Sequence, residues 1–245
     1  MTTISLSLRH AAGKTFFAAC IAAFCWMPEP LGAQSPFPDE NVPETGFTAI
    51  FDGKTLDGWE YDPVYWRVEG DRMVGEVTPE TLLERNSFIV WKGGTPADFE
   101  LKMEYRVSPE GNSGINYRSV KVPGVAHALK GYQLDIDGPG QWTGQNYEER
   151  GRTFLALRGP GKKPHVIGST GDKDALFAEI DRDGWNACHV IAKGNTLIHL
   201  INGKVMSIVV DDDPHERTRK GLIGMQVHVG PPMKIEFRNI RLKTR

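Results

Sequence analysis

Four stretches of this sequence place ionisable and amide side chains at every second position. Gln133, Asp135 and Asp137 alternate with Tyr132, Leu134 and Ile136; Asn116 and Arg118 alternate with Ile115 and Tyr117. Gln226 and His228 alternate with Met225, Val227 and Val229, and Glu100, Lys102, Glu104 and Arg106 with Phe99, Leu101, Met103, Tyr105 and Val107. Neighbouring side chains of a strand point to opposite faces, so each stretch predicts one apolar core face and one face carrying the polar set. A face that is only solvated is one reading, since antiparallel sheets commonly wet one side. Such faces favour Thr, Lys and Glu, whereas these carry Arg, Asn, Gln, Asp and His. Their short or planar groups can hold hydroxyls in fixed directions, as a sugar would require.

Other chemistries find less support. No Gly-x-Ser-x-Gly elbow is present, and the seven histidines form no His-x-x-x-His pair and no Cys–His cluster, which speaks against a serine triad and a structural zinc site. Asp211-Asp212-Asp213 lacks the Gly and distant Glu of a calcium loop and reads as a solvated turn. Asn112-Ser113-Gly114 is either a turn or a set of polar groups aimed at a ligand. Trp142 and Tyr147 suit either stacking on a sugar ring or core packing. Cys188, in the apolar run Trp185–Ile191, reads as a buried inert thiol because nothing near it in sequence lowers its pKa.

The elements that must position these groups are strands. After residue 45 no window keeps apolar residues at i, i+3, i+4 and i+7, while period-two alternation recurs. The clearest strands are Phe99–Val107, Gly114–Val120, Gly131–Asp137, Trp185–Lys193, Thr196–Ile201, Lys204–Val210, Gly221–Val229 and Lys234–Leu242. Asn202-Gly203 joins two of them as a type I′ hairpin, and Pro79–Asn86 is expected to hold a short helical turn. Many short strands with close turns predict an all-β sandwich of two antiparallel sheets, in one domain over residues 45–245.

Composition sets the remaining bounds. With 29 basic and 31 acidic residues the net charge is -2, so no nucleic-acid partner is expected. The apolar share of 40% excludes a disordered chain, and 27 glycines with 16 prolines make it rich in turns. Arg9 and Lys14 precede the uncharged run Thr15–Trp26, which is too short to span a bilayer, and Leu31-Gly32-Ala33 follows it. Residues 1–33 therefore read as a secretory signal, residues 34–44 as a flexible lead-in, and the mature protein as periplasmic or secreted. Cleavage there leaves Cys188 as the one cysteine and allows no intramolecular disulfide.

One longer pattern overlies these elements. Gly46-Phe47-Thr48-Ala49-Ile50-Phe51-Asp52-Gly53-Lys54-Thr55-Leu56-Asp57-Gly58-Trp59 resembles the opening of the 3-keto-disaccharide hydrolase domain family. Further blocks follow in order: Trp66–Gly70, Asp98–Leu101, Asn112–Ile115, Gly131–Asp137, Thr143–Glu149, Trp185-Asn186 and Phe237–Ile240. The resemblance implies a concanavalin A-like jelly-roll sandwich with a concave polar face. It also implies a sugar or glycoside substrate, namely glycosides whose glucosyl C3 hydroxyl has been oxidised to a ketone. That ketone acidifies the C2 proton, so a base can remove it and the C1 substituent can leave by β-elimination, with water then adding to the enone.

Roles follow for that reaction. His228 is the first choice as acid or base, or as a metal ligand, because its ordinary pKa of about 6.5 needs little tuning. Glu104 and Asp135 are competing bases whose carboxylates could also hold a cation. Gln133, Asn112, Arg118 and Gln226 would orient sugar hydroxyls, and Tyr147 and Glu149 would close the site from the Thr143–Glu149 segment. A divalent metal ion is a candidate electrophile for the ketone although no ligand spacing marks one; otherwise Arg106 or Arg118 would hold the enolate oxygen. Glu104, Arg106, Gln133, Asp135 and His228 are expected on one wet face. The competing functions are a non-catalytic carbohydrate-binding module and a conventional β-glucanase, the latter lacking glutamates flanking Asp135 in phase.

Overall fold

The computed structural model describes residues 45–156 and 170–244; the expected signal and lead-in lie outside the described residues. Among the described residues, fifteen strands form two sheets. The first runs β13 (Lys204–Val210), β12 (Thr196–Ile201), β11 (Asn186–Lys193), β6 (Phe99–Val107), β15 (Met233–Thr244), β4 (Arg72–Val77) and β3 (Trp66–Glu69), with β1 (Thr48–Ala49) also on β15. The second runs β10 (Thr153–Ala156), β9 (Asn146–Glu149), β8 (Leu129–Asp137), β7 (Asn112–Lys121), β14 (Leu222–Val227), β5 (Ser87–Trp91) and β2 (Trp59–Glu60). Their pairings are antiparallel, and the whole is the expected jelly-roll sandwich.

Alternation builds the core. On β6, Phe99, Leu101, Met103 and Tyr105 turn inward, where they share one apolar cluster with Ile115, Leu134, Ile136 and Met225 of the facing sheet. Each such side chain, fully withdrawn from water, stabilises the fold by roughly 1.5–3 kcal/mol, so truncating Leu134 to Ala would cost about 2–5 kcal/mol. Cys188 of β11 faces this core at 1% exposure, and burial pushes its thiol pKa up. Asn202 and Gly203 join β12 to β13 at φ 49° and 78°, the double positive φ that a type I′ turn needs.

All eight predicted strands form, with ends shifted by a few residues. Pro79–Asn86 is a succession of turns rather than helical; the short helix α1 spans Lys173–Ala178 instead, where the Asp172 carboxylate accepts the backbone N–H groups of Asp174 and Ala175. A second, smaller apolar cluster of Phe88, Val90 and Leu129, with Leu222 against it, lies on the outer face of the second sheet. Beside it on that face lie the buried polar residues Asn116, Gln133, Asp135 and Gln226.

Candidate functional site

The polar patch is built by register. Gln133 of β8 lies opposite Asn116 of β7 on one side and Tyr147 of β9 on the other. Asp135 lies opposite Gly114, and Met225 of β14 opposite Ile115, which brings Gln226 up to Gly114 from the far side of β7. Because Ile115, Leu134, Ile136 and Met225 face the core, the residues between them face outward. The expectation of a wet face fails here. Asn116 and Gln226 have no exposure and Gln133 has 2%.

One chain of hydrogen bonds runs across the patch. Gln133 Nε2 donates to Asp135 Oδ1 at 3.1 Å, Gln226 Nε2 donates to Gln133 Oε1 at 3.2 Å, and Gln226 also reaches Glu149 Oε2 at a long 3.5 Å. Asn86 Nδ2 donates to the other Glu149 oxygen at 3.3 Å, while Asn86 Oδ1 accepts the backbone N–H of Val229. Gly114 is required beneath this chain, since a Cβ there would meet Gln133 Cδ at 2.3 Å. Within this patch three buried atoms have no hydrogen-bond partner: Asn116 Nδ2, Asn116 Oδ1 and Gln226 Oε1. Unmade hydrogen bonds in such a setting cost about 1–3 kcal/mol each, a cost that ligand hydroxyls or a carbonyl would offset.

Burial sets the charge states. It raises the Asp135 pKa to about 8, against the Gln133 hydrogen bond and with help from the charge of Asp137. Burial likewise raises Glu149, opposed by its Asn86 hydrogen bond, and raises Tyr147, which also feels Glu149 and Asp135. His228, half-buried just past the end of β14, moves the other way, because burial disfavours the imidazolium. Its Nδ1 lies 2.5 Å from the Val229 carbonyl oxygen, which can only accept, so Nδ1 carries the proton and Nε2 keeps the lone pair. Asn112, half-buried opposite Asp137, marks the margin of the patch toward His228. Asp137 itself is turned to structure, accepting the backbone N–H groups of Gln141, Trp142 and Thr143.

An aromatic edge borders the patch. Phe154 of β10 lies opposite Tyr147 and meets its ring edge-on at 5.0 Å, and Trp142 lies over Phe154 at 5.1 Å. All three are half-buried.

The structure thus gathers Gln133, Asp135, Tyr147, Glu149 and Gln226, with Asn112 and His228 beside them. It separates three residues that were expected to join them. Glu104 and Arg106 stand on β6, in the other sheet: Glu104 accepts from Arg238 at 2.6 Å and Asn239 at 2.9 Å, and Arg106 pairs with Glu236 at 2.7 Å and covers Trp185. Alternation gives the phase of a strand but not the sheet it joins. Arg118 occupies an irregularity between Tyr117 and Val120 at φ 47°, which breaks its phase. Its guanidinium is buried, donating to the carbonyl oxygens of Ala97 and Gly194 and pairing with Asp98. Asn86 and Phe154 were missed, for Asn86 precedes the five-residue β5 and Phe154 lies in the four-residue β10, both too short to show alternation.

Two clefts, of about 470 and 330 Å³, open elsewhere, around Asp98 and Gly194. Asp98 there is engaged by Arg118. Among the described residues, no three His, Cys, Asp or Glu side chains group as metal ligands.

Comparison with known proteins fits this architecture. A candidate glycosyl hydrolase from Parabacteroides distasonis superposes with a TM-score of 0.56 at 20% identity, covering 82% of this chain and 94% of its own. A carbohydrate-binding module from Bacillus subtilis gives 0.53 at 15% identity, covering 76% and 96%. At these identities the likeness shows the fold. No protein of curated function matches the sequence. Residues 46–243 match the 3-keto-alpha-glucoside-1,2-lyase-like domain, a span that takes in both sheets and the whole polar patch. The chain belongs to that domain family, and its function is carbohydrate-related.

Proposed function

We propose that this protein cleaves 3-keto-glycosides by removing the C2 proton and expelling the C1 substituent. The family's name supports the substrate class. The observation that carries the mechanism is a carboxyl group and an imidazole on one face, Asp135 and His228, whose surroundings push their pKa values in opposite directions. At neutral pH Asp135 is mainly the protonated acid and His228 the neutral base. Two strand spacings and two residues part their backbones, about 10 Å across and about 7 Å along the sheet, a span on the scale of a glycoside.

In this reading His228 Nε2 takes the C2 proton, the C3 oxygen carries the enolate charge, and the C1–O bond breaks as Asp135 gives its proton to the leaving oxygen. The product is the enone, to which water adds at C1 to give the free 3-keto sugar. A conventional glycosidase needs one carboxylate held ionised as nucleophile or base, whereas burial raises both Asp135 and Glu149. Residues 1–33, read as a secretory signal, would place the reaction in the periplasm or outside the cell.

The test is incubation with an aryl 3-keto-glucoside beside its unoxidised parent. Release of the phenol from the oxidised sugar alone is expected. Equal release from both would return a conventional glycosidase, and binding of the 3-keto-glucoside with no release would mark a carbohydrate-binding module.

A further inference from the structure

The elimination needs a group to hold the C3 oxygen while it carries negative charge. Neither arginine considered for that task can reach it. Arg106 belongs to the other sheet and pairs with Glu236, and the Arg118 guanidinium is spent on Asp98 and two backbone carbonyls. The amides of the patch are mostly spent as well: Gln133 Nε2 on Asp135, Gln226 Nε2 on Gln133 and Glu149, and Asn86 Nδ2 on Glu149. Asn116 is different. Its side chain has no exposure, stands between Gln133 of β8 and Gly224 of β14, and neither its nitrogen nor its oxygen has a partner.

We propose that the Asn116 amide is the oxyanion donor of this site, its Nδ2–H groups holding the C3 oxygen of the sugar as ketone and, more strongly, as enolate. The proposal rests on the elimination reading above. Electron flow is complete without a co-reactant. The C2–H pair forms C2=C3 and the carbonyl pair moves to O3, where Asn116 meets it. The pair then returns to O3=C3, the C2=C3 pair forms C1=C2, and the C1–O pair departs with the leaving oxygen, which takes the Asp135 proton. A neutral donor suffices because burial strengthens a hydrogen bond to a developing anion. The unpartnered Asn116 Oδ1 and Gln226 Oε1 would accept hydroxyl groups of the same ring, which fixes the ring over β7. The Gln226 to Gln133 bond also crosses β7, so a sugar reaching Asn116 would displace that bond while Gln133 keeps its own to Asp135.

Asn116→Leu and Asn116→Ala test this on an aryl 3-keto-glucoside. Leu removes the donor and an unsatisfied polar group together, so Tm should hold or rise while kcat falls 10²–10³-fold, the loss typical of one oxyanion donor. Ala supplies no donor at any pH and leaves only a small cavity, so kcat should fall as far. KM should stay within a few-fold in both. Folded variants with kcat within tenfold of wild type would overturn the role of Asn116 while leaving the reaction standing. A lower Tm with kcat spared would mark a structural amide. If wild type releases no phenol, the elimination reading falls and this role with it. Should Asn116→Leu not fold, Asn116→Ala decides alone.

Discussion

Gln226 of β14 and Gln133 of β8, 93 residues apart in sequence, join amide to amide across the intervening strand β7 at 3.2 Å. Glu149, which accepts from the same Gln226 nitrogen, sets the direction of that bond. Gln133 presents its oxygen to Gln226 and must therefore present its nitrogen to Asp135, which leaves Asp135 Oδ2 as the oxygen that carries the proton. Geometry from one strand thus reaches a proton two strands away.

Gly114→Ala tests that relay without touching a reacting group. The new Cβ would meet Gln133 Cδ at 2.3 Å, and the flexible Gln133 side chain would yield rather than the backbone. Stability should drop by no more than about 1–2 kcal/mol, while turnover falls about 10–100-fold because Asp135 loses its orienting partner. Turnover equal to wild type at unchanged affinity would show that the bridge orients nothing.

Asp135→Asn should lower turnover about 10²–10⁴-fold, the range of a general acid, and it should change how stability depends on pH. Asp135 has a folded pKa of about 8, above its unfolded 3.8, so the folded state binds a proton that the unfolded state releases. Its contribution is fully present below pH 3.8 and is lost as pH rises through 8. Urea titrations from pH 4 to 9 should show this loss in wild type and a flatter profile in the variant. Wild-type activity should also decline above pH 8 as the acid form disappears.

The acid side has a different origin. His199 of β12 is fully buried between the sheets, its Nε2 taking the Tyr117 hydroxyl at 2.7 Å, and Asn146 Nδ2 donates to that same hydroxyl oxygen at 3.1 Å. Burial lowers the His199 pKa to about 4. Protonation would remove the acceptor and bury a charge, so the unfolded state binds the proton first. Stability is full above the unfolded pKa of 6.5 and falls as pH drops through the window down to about 4, with a slope of about 1.4 kcal/mol per pH unit at most. His199→Gln should flatten this limb in thermal unfolding at pH 4 to 7.

Much of the patch was legible because strand phase is written in sequence. Gln133, Asp135 and Gln226 alternate with core residues and so emerge together, and the core side of β6 reads directly. Sheet membership is not written there. Glu104 and Arg106 share that phase, yet β6 pairs with β11 and β15, so they support an ion-pair surface on the opposite side. Arg118 shows a second limit, since one bulge reverses the alternation from which its position was inferred. Burial of the polar face was also hidden, because alternation separates core from outside but does not say what covers the outside.

Cys188→Ala should leave turnover within a few-fold of wild type and cost about 1 kcal/mol of stability, the removal of one buried sulfur from the core. The folded wild-type thiol should resist maleimide until denaturant is added. A loss of turnover with folding intact would give Cys188 a part in the chemistry.

The decisive measurement follows the C2 hydrogen. If His228 removes it, an aryl 3-keto-glucoside cleaved in heavy water gives either an enone without hydrogen at C2 or, once water adds at C1, a 3-keto sugar carrying deuterium there. Deuterium in place of the substrate's C2 hydrogen should slow phenol release severalfold if proton removal limits the rate. His228→Ala should depress both exchange and release by about 10²–10⁴, as expected for a general base, while Asp135→Asn should depress release more than exchange, because the acid acts on the leaving oxygen after the proton has gone. That split separates the two roles, since loss of binding alone would lower exchange and release equally. Product that keeps its original hydrogen at C2 would sink the elimination, and with it the assignments of His228 and Asp135.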